Sequence, residues 1–279
     1  NVLILPGEDE FISHNSNANN IEGHATSLDF IFNDFPYGIA FFTRFYLAGD
    51  HPFLPESLGL RFNSNSSRWE IVIENLSTPF PTDAKFAVLT PNMDAGVFVH
   101  RATKDNTTDY RSDIEHPLTD FNPDAIIFVT HNINPGGELS GVTNDGPIGV
   151  IYEGYDKNKW SIYNQNGFDI QENSQFNIFI PQPGPNVFTH QANESNTKGH
   201  VTTIDHPSLN NNPTAYILIT QNWNIGENYN NSQISTSYSS DIKRWQIFNE
   251  NQTDLIMGTG FNIFFQDAQF PIDVPFISQ

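Results

Sequence analysis

Two stretches of this chain, NPDAIIFVTHNINPGG at residues 122–137 and NPTAYILITQNWNIGE at residues 212–227, repeat one pattern. In each stretch an Asn-Pro pair precedes a continuous apolar run that ends in Thr, and an Asn-x-Asn motif and a Gly follow. A short apolar run between such turn residues is typical of a strand that is buried on both faces or central in its sheet. The pattern therefore indicates a duplicated β unit.

The repetition extends over most of the chain. FVHRATKDNTTDYRSDIEHP, from Phe98, aligns with FTHQANESNTKGHVTTIDHP, from Phe188, and a degenerate first copy begins with FISHNSNANNIEGHATSLDF, from Phe11. Units of this size can hold their own cores, unlike the short repeats of solenoids. The alignments predict an N-terminal strand segment at residues 1–10, units at residues 11–91, 98–182 and 188–266, and a C-terminal strand segment at residues 267–279.

The alternation within each unit predicts an all-β fold. Apolar residues recur at every second position, as at Phe176, Ile178 and Ile180, and no window shows a capped helical stripe. Six or seven strands in about 85 residues favour three tandem β-sandwich-like repeats, with a small barrel as the alternative. We interpret the Trp that recurs in each unit as a core anchor.

The recurring motifs are a His near the start, [DE]-H-P, N-P-x-A before T-x-N-x-N, W-x-I-[FY]-N and F-N-[IV]. This string resembles an uncharacterised β-rich repeat domain of secreted bacterial proteins. The second and third units carry most of it, whereas the first lacks the His-Pro and the Asn-x-Asn. The resemblance implies an exported protein made of such domains, and it transfers no activity and no functional residue.

Composition and charge narrow the possible partners. The net charge of −20, from 32 acidic and 12 basic residues, repels phosphate backbones and anionic lipid, so we expect no nucleic-acid partner. No apolar run approaches the roughly 18 residues of a membrane span, so we expect no membrane insertion. The chain starts at Asn1 without a signal-peptide pattern, which we interpret as a mature, secreted chain. The absence of Cys indicates either bacterial or archaeal export or cores that are large enough to need no disulfides.

His and acidic residues supply the candidate metal ligands. Two His and a carboxylate in each of the last two units could form a zinc or copper site if their strands are neighbours. The alternative is a structural His that closes a turn, because the first unit has Phe30 at the corresponding position. No cofactor is predicted, although scattered oxygen ligands leave calcium open as well as zinc. The candidate metal ligands are His100, Glu115, His116, His190, Asp205 and His206.

Asn and aromatic residues supply the candidate ligand-binding site. The Asn-x-Asn pairs either cap the turn that follows them or bind sugar hydroxyls beside an aromatic ring. The candidate residues are Asn132, Asn134, Asn222, Trp223, Asn224 and Tyr229. The N-x-S/T pattern marks candidate glycosylation sites at Asn65, Asn75, Asn106, Asn193, Asn230 and Asn251.

No nucleophile or phosphate-binding motif occurs, and the units preserve Trp and Phe better than acids, so we predict a protein without enzymatic activity. The main hypothesis is an exported structural or adhesive protein that forms filaments or a surface layer by sharing terminal strands with copies of itself. The alternatives are a lectin-like module that binds surface glycans and a secreted metal-dependent hydrolase.

Overall fold

The computed structural model describes residues 9–29, 35–47, 53–94, 96–137, 141–155 and 157–267. Strands dominate this part of the chain, and its single helical element is a 3-10 turn at Trp223–Ile225. The all-β prediction is therefore confirmed. The terminal strand segments predicted at residues 1–10 and 267–279 lie mostly outside the described residues.

The described strands form three successive groups of seven. Unit 1 contains β1 (Glu10–Asn15), β2 (Ile21–Glu22), β3 (Ala25–Ser27), β4 (Phe41–Tyr46), β5 (Leu58–Asn63), β6 (Arg68–Ile73) and β7 (Lys85–Thr90). Unit 2 contains β8 (Val97–Arg101), β9 (Thr107–Thr108), β10 (Arg111–Asp113), β11 (Phe128–His131), β12 (Ile148–Glu153), β13 (Lys159–Asn164) and β14 (Gln175–Phe179). Unit 3 contains β15 (Val187–Gln191), β16 (Thr197–Lys198), β17 (Val201–Thr203), β18 (Tyr216–Asn222), β19 (Ile234–Ser239), β20 (Arg244–Asn249) and β21 (Gly260–Gln266).

The same pairing order recurs in each unit. The first strand pairs with the seventh and the seventh with the fourth, as in β1-β7-β4. The second, third, sixth and fifth strands form the other layer, as in β2-β3-β6-β5. Two antiparallel layers with a core between them make each unit a β-sandwich.

A Trp lies at the centre of each sandwich, at the start of the sixth strand. Trp69, Trp160 and Trp245 are at most 2% exposed and belong to three separate apolar clusters. The indole N–H of Trp160 donates to the Asn122 carbonyl at 2.8 Å, and that of Trp245 to the Asn212 carbonyl at the same distance. Trp160 and Trp245 therefore fix the Asn-Pro turns that lead into β11 and β18, and the indole N–H of Trp69 donates to the Phe35 carbonyl at 3.1 Å.

The three units close into a ring. The fourth strand of each unit runs parallel to the fifth strand of a neighbour: β4 beside β19, β18 beside β12, and β11 beside β5 through a bridge between Leu60 and Asn132. Unit 1 therefore contacts unit 3, unit 3 contacts unit 2, and unit 2 contacts unit 1. The chain has approximate threefold symmetry, and the three fourth strands surround the symmetry axis.

Apolar and hydroxyl side chains from all three units hold the axis together. Equivalent hydrogen bonds cross the boundaries: the Ile219 N–H donates to Thr43 Oγ1 at 3.1 Å, and the Val129 N–H to Thr220 Oγ1 at 3.2 Å. One apolar cluster spans the three units and closes the centre of the ring. Its buried members are Ile39, Phe41, Leu89, Val97, Phe128, Phe179, Leu218 and Phe264.

Candidate functional site at the unit boundaries

The first Asn of each Asn-x-Asn motif bonds within its own unit. The Asn132 side chain donates to Asn177 Oδ1 at 2.9 Å, and the Asn222 side chain donates to Asn262 Oδ1 at 2.9 Å. Asn222 Oδ1 also accepts from the Asn224 N–H and so caps the 3-10 turn. These two candidate ligand-binding residues are buried, and the protein itself supplies these partners.

The second Asn of each motif bonds to the neighbouring unit. Asn134 contacts both backbone groups of Phe62, accepting from N–H at 2.8 Å and donating to the carbonyl at 2.9 Å. Asn224 makes the same two contacts with Tyr152, at 2.6 and 3.1 Å. The Asn-x-Asn motif therefore extends the parallel strand pairing beyond the end of the fourth strand.

Unit 1 replaces these polar contacts with apolar ones. Phe45 stands where units 2 and 3 have Asn132 and Asn222, and Ala87 stands where they have Asn177 and Asn262. The Phe45 ring is buried in the cluster around Trp245 of unit 3. A large side chain opposite a small one fills the space that two Asn side chains fill elsewhere.

The predicted Trp223 and Tyr229 lie in an aromatic group at the boundary of units 2 and 3. Their ring centroids are 6.5 Å apart, and Tyr229 meets the Tyr163 ring edge-on at 5.5 Å. The Tyr229 hydroxyl lies 3.3 Å from that of Tyr110 and accepts from Arg111 at 3.1 Å. Burial and the hydrogen bond with Tyr110 raise the pKa of Tyr229. Tyr229 is 38% exposed. We call Tyr110, Arg111, Tyr163, Trp223 and Tyr229 the aromatic group.

The predicted His100 and His190 bond to hydroxyls on the third strands. His100 Nε2 lies 2.7 Å from Ser112 Oγ, and His190 Nε2 lies 2.8 Å from Thr202 Oγ1. In unit 1, His14 Nε2 has the same relation to Thr26 Oγ1, at 2.9 Å. Burial lowers the pKa of all three imidazoles to about 4, so they are neutral at pH 7.

The predicted His116 and His206 lie over aromatic rings instead of beside these imidazoles. His116 stacks on Phe98 with centroids 4.3 Å apart, and its Nδ1 accepts from the Leu118 N–H at 3.3 Å. His206 stacks on Phe188 at 4.5 Å and accepts from the Ser208 N–H.

The acidic neighbours of these His are exposed and form ion pairs on the surface. Glu115 pairs with Lys159, and Asp205 with Arg244. In the described part of the chain, no three His, Asp or Glu side chains lie close enough together to hold a metal ion.

Three side chains that the sequence analysis did not select occupy equivalent boundary positions. Each of them directly follows the Thr that occurs at the same position in all three fourth strands, and they are Arg44, His131 and Gln221. Arg44 Nη1 lies 3.6 Å from Glu250 Oε1 of unit 3, and His131 Nδ1 lies 2.9 Å from Glu74 Oε1 of unit 1. We call the three residues the boundary trio.

The partners of the boundary trio are also equivalent to one another. Glu74, Gln165 and Glu250 each follow the sixth strand of a unit, and each accepts a hydrogen bond from a backbone N–H of the neighbouring unit. The donors are Leu54 to Glu250, Asn144 to Glu74 and Asn230 to Gln165. At the boundary between units 2 and 3, the two equivalent positions hold the uncharged residues Gln221 and Gln165.

A cavity of about 90 Å³ lies beside the boundary trio, where residues of all three units meet. Thr43, Thr130 and Thr220 contribute to its wall. A shallower mouth of about 270 Å³ shares Gly146 and Gln233 with this cavity. The mouth is lined by the residues that precede β5, β12 and β19, so it too has contributions from three units. We call these spaces the axial cavity and the mouth.

The predicted glycosylation sites differ in accessibility. Asn230 is 4% exposed and exchanges two side-chain hydrogen bonds with Asn249, so an attached glycan would have no room there. Asn106 is half-buried and bonds to the Arg101 carbonyl. The exposed candidates are Asn65, Asn75, Asn193 and Asn251.

Among the described residues, no helix has the length and apolar character to cross a bilayer.

Comparisons with known proteins identify the family. Neither the curated proteins nor the solved structures gave a match. One family model matches twice, at residues 59–156 and 155–265, and the first match runs from the fifth strand of unit 1 through the fifth strand of unit 2. The chain therefore belongs to the family described as Domain of unknown function (DUF7452).

Proposed function

We propose that this chain is an exported, non-enzymatic structural or adhesive protein made of three copies of one β unit, which joins to copies of itself by strand addition. The recurrence of one strand order in all three units supports the three copies. Side chains that the sequence marks as candidate ligands fix strands and unit boundaries, which supports a structural use of the repeated motifs.

The observation that carries the proposal is the open edge at the first strand of each unit. β1, β8 and β15 each pair with a single strand within the described residues. An unpaired strand edge presents a row of N–H and C=O groups and is a template for a strand from another chain. The first strands of the three units therefore offer three such edges among the described residues.

The sequence of residues 268–279, which lie outside the described residues, suits such a strand. Phe270, Ile272 and Val274 alternate with Pro271 and Pro275. In an extended strand, the two Pro residues would direct their missing N–H groups to one side and leave the other side able to pair. The side chains of Phe270, Ile272 and Val274 would then face a core. The strand edge that carries the two Pro residues would face solvent, as at the outer edge of a sheet.

Terminal deletion tests the proposal. We expect the intact chain to form polymers in electron microscopy and light scattering, and the chain without residues 268–279 to be monomeric with an unchanged far-ultraviolet circular dichroism spectrum. A synthetic peptide of residues 268–279 should bind the truncated chain, and a scrambled peptide should not. Deletion of residues 1–8 shows whether the other terminus contributes.

Two results would contradict strand addition. One is an intact chain that stays monomeric at high concentration. The other is a set of polymers that persists when residues 1–8 and 268–279 are both deleted.

The aromatic group favours a second candidate function, a lectin-like module. Trp223 and Tyr229 are partly exposed beside Tyr110, and the Arg111 guanidinium lies 5.0 Å from the centre of the Tyr110 ring. Aromatic rings with polar tips beside a charged donor can contact both the apolar face and the hydroxyls of a sugar.

Glycan-array binding by the intact chain and by Trp223→Ala tests this candidate. Phe121→Ala is the control, because Phe121 is 78% exposed and is not part of the aromatic group. The lectin-like function requires binding that Trp223→Ala abolishes and Phe121→Ala preserves.

A further inference from the structure

The axial cavity contains buried polar atoms that no protein group satisfies in the described residues. His131 Nε2 and Gln221 Oε1 have no hydrogen-bond partner there, and the two residues are 1% and 2% exposed. Both side chains line the cavity. Buried polar atoms of native proteins almost always have a partner, so the cavity is expected to hold a molecule that supplies one.

The other ring and amide atoms of these two side chains have partners. His131 Nδ1 contacts Glu74, and Gln221 Nε2 donates to the carbonyls of Asn230 and Ser232. The contacts fix the orientation of the imidazole and the amide, and the remaining atom of each is left for an occupant of the cavity.

The mouth adds an exposed aromatic ring and the oxygen atoms of three polar side chains. Phe168 is 68% exposed and lines the mouth together with Asp145, Glu56 and Asn231. No hydrogen bond or ion pair engages the side chains of Asp145, Glu56 and Asn231 within the described residues. A flat apolar ring beside carboxylate and amide groups suits a ligand with one apolar face and several hydroxyls.

Charge argues against a cation as the occupant. The Arg44 guanidinium lines the axial cavity, and its charge is balanced by Glu250, which also lines it. A cation in the cavity would lie beside this guanidinium. An uncharged molecule with several hydroxyls avoids the repulsion and can donate to His131 or Gln221.

We propose that the mouth and the axial cavity bind one small uncharged saccharide. Its ring stacks on Phe168, its hydroxyls bond to Asp145 and Asn231, and one hydroxyl or amide reaches His131 and Gln221. The site requires all three units, because its walls come from each of them. It is distinct from the aromatic group, and it does not depend on strand addition.

Saturation-transfer NMR and titration calorimetry on the full chain test the proposal. The probes are glucose, galactose, mannose, N-acetylglucosamine and N-acetylgalactosamine, with calcium chloride as the cation. We expect saturable binding of at least one sugar, which Asp145→Ala and Phe168→Ala each weaken by about tenfold or more, as the loss of one charged hydrogen bond or one stacked ring would. Both positions are exposed, so the variants should fold.

Two controls separate this site from others. Tyr155→Ala removes a fully exposed aromatic side chain that does not line the mouth, and it should leave binding unchanged. Trp223→Ala should also leave binding unchanged, which distinguishes the mouth from the aromatic group. Absence of binding by all five sugars, binding unaffected by Asp145→Ala and Phe168→Ala, or binding of calcium alone at the mouth would overturn the proposal.

Discussion

The boundary between units 1 and 3 gives a sharp test of the ring, because its buried ion pair has an uncharged counterpart in the same molecule. Arg44 and Glu250 are 3% and 1% exposed and lie 3.6 Å apart. At the boundary of units 2 and 3 the equivalent residues are Gln221 and Gln165. The substitutions Arg44→Gln and Glu250→Gln, alone and together, therefore convert one boundary into the chemistry of another.

Each single substitution should be costly and the double substitution much less so. Removing one member of a buried pair leaves an uncompensated charge and typically destabilises by about 3–5 kcal/mol. Glu250 also accepts from the Leu54 N–H, at 3.0 Å, and from the hydroxyls of Tyr46 and Ser235. A Gln side chain can keep these contacts, accepting from the N–H and donating to a hydroxyl. We therefore expect the double variant to be more stable than either single variant, with a coupling free energy of about 2 kcal/mol or more.

Urea denaturation followed by tryptophan fluorescence and circular dichroism measures the four free energies of unfolding, and coincident transitions justify a two-state treatment. The control cycle is Lys104→Gln with Glu172→Gln, a pair with the same 3.6 Å separation whose side chains are 82% and 51% exposed. That pair should show a coupling below about 1 kcal/mol. If the Arg44 and Glu250 substitutions are simply additive, the boundary does not depend on matched charge and our account of it is wrong.

Three further predictions concern single residues. Because burial lowers the pKa of His100 to about 4 from 6.5, the unfolded chain takes up a proton between these values and the folded chain does not, so stability falls as the pH drops below 6.5. Between pH 7.5 and pH 5, His100→Asn should lose about 2 kcal/mol less stability than the unaltered chain in urea titrations, and an equal loss would refute the assignment. Asn224→Ala removes two contacts with the Tyr152 backbone and should cost about 1–2 kcal/mol by the same method, whereas no loss would show that these contacts do not hold the boundary. Gly59→Ala would place a Cβ 3.0 Å from Glu74 Oε1, so a lower melting temperature is expected from calorimetry, and an unchanged one would show that the boundary can relax.

Local pattern was sufficient to predict the strands and their burial. Ile178 is on a strand as its alternation predicts, and it is fully buried. The Trp in the W-x-I motif is the centre of each core, and in units 2 and 3 its N–H donates to the Asn carbonyl of the Asn-Pro turn that precedes the fourth strand. These features depend on neighbours within one unit, and such neighbours impose a period on the sequence.

The ring was not predictable from the same patterns. Its contacts join residues far apart in the chain, as Asn224 does with Tyr152, and a parallel pairing between units leaves no periodic signal of its own. The exchange of Asn132 and Asn177 for Phe45 and Ala87 was visible in the alignment, since a large residue replaces one Asn and a small residue replaces the other. Such a paired change indicates that the two positions are in contact.

The differences among the three boundaries have a physical consequence for how the chain closes. The strand order of the units is the same, so the backbone alone does not determine which fifth strand receives which fourth strand. The boundary trio distinguishes the two orders of closure. In the reverse order, Arg44 would lie against Gln165 and leave a buried positive charge without a partner, and Gln221 would lie against Glu74 and leave a buried negative one. Either mismatch costs several kcal/mol, a large part of the stability of a typical domain. The unequal side chains at these positions therefore restrict a chain of three similar units to one order of closure, whereas identical side chains would permit the reverse order as well.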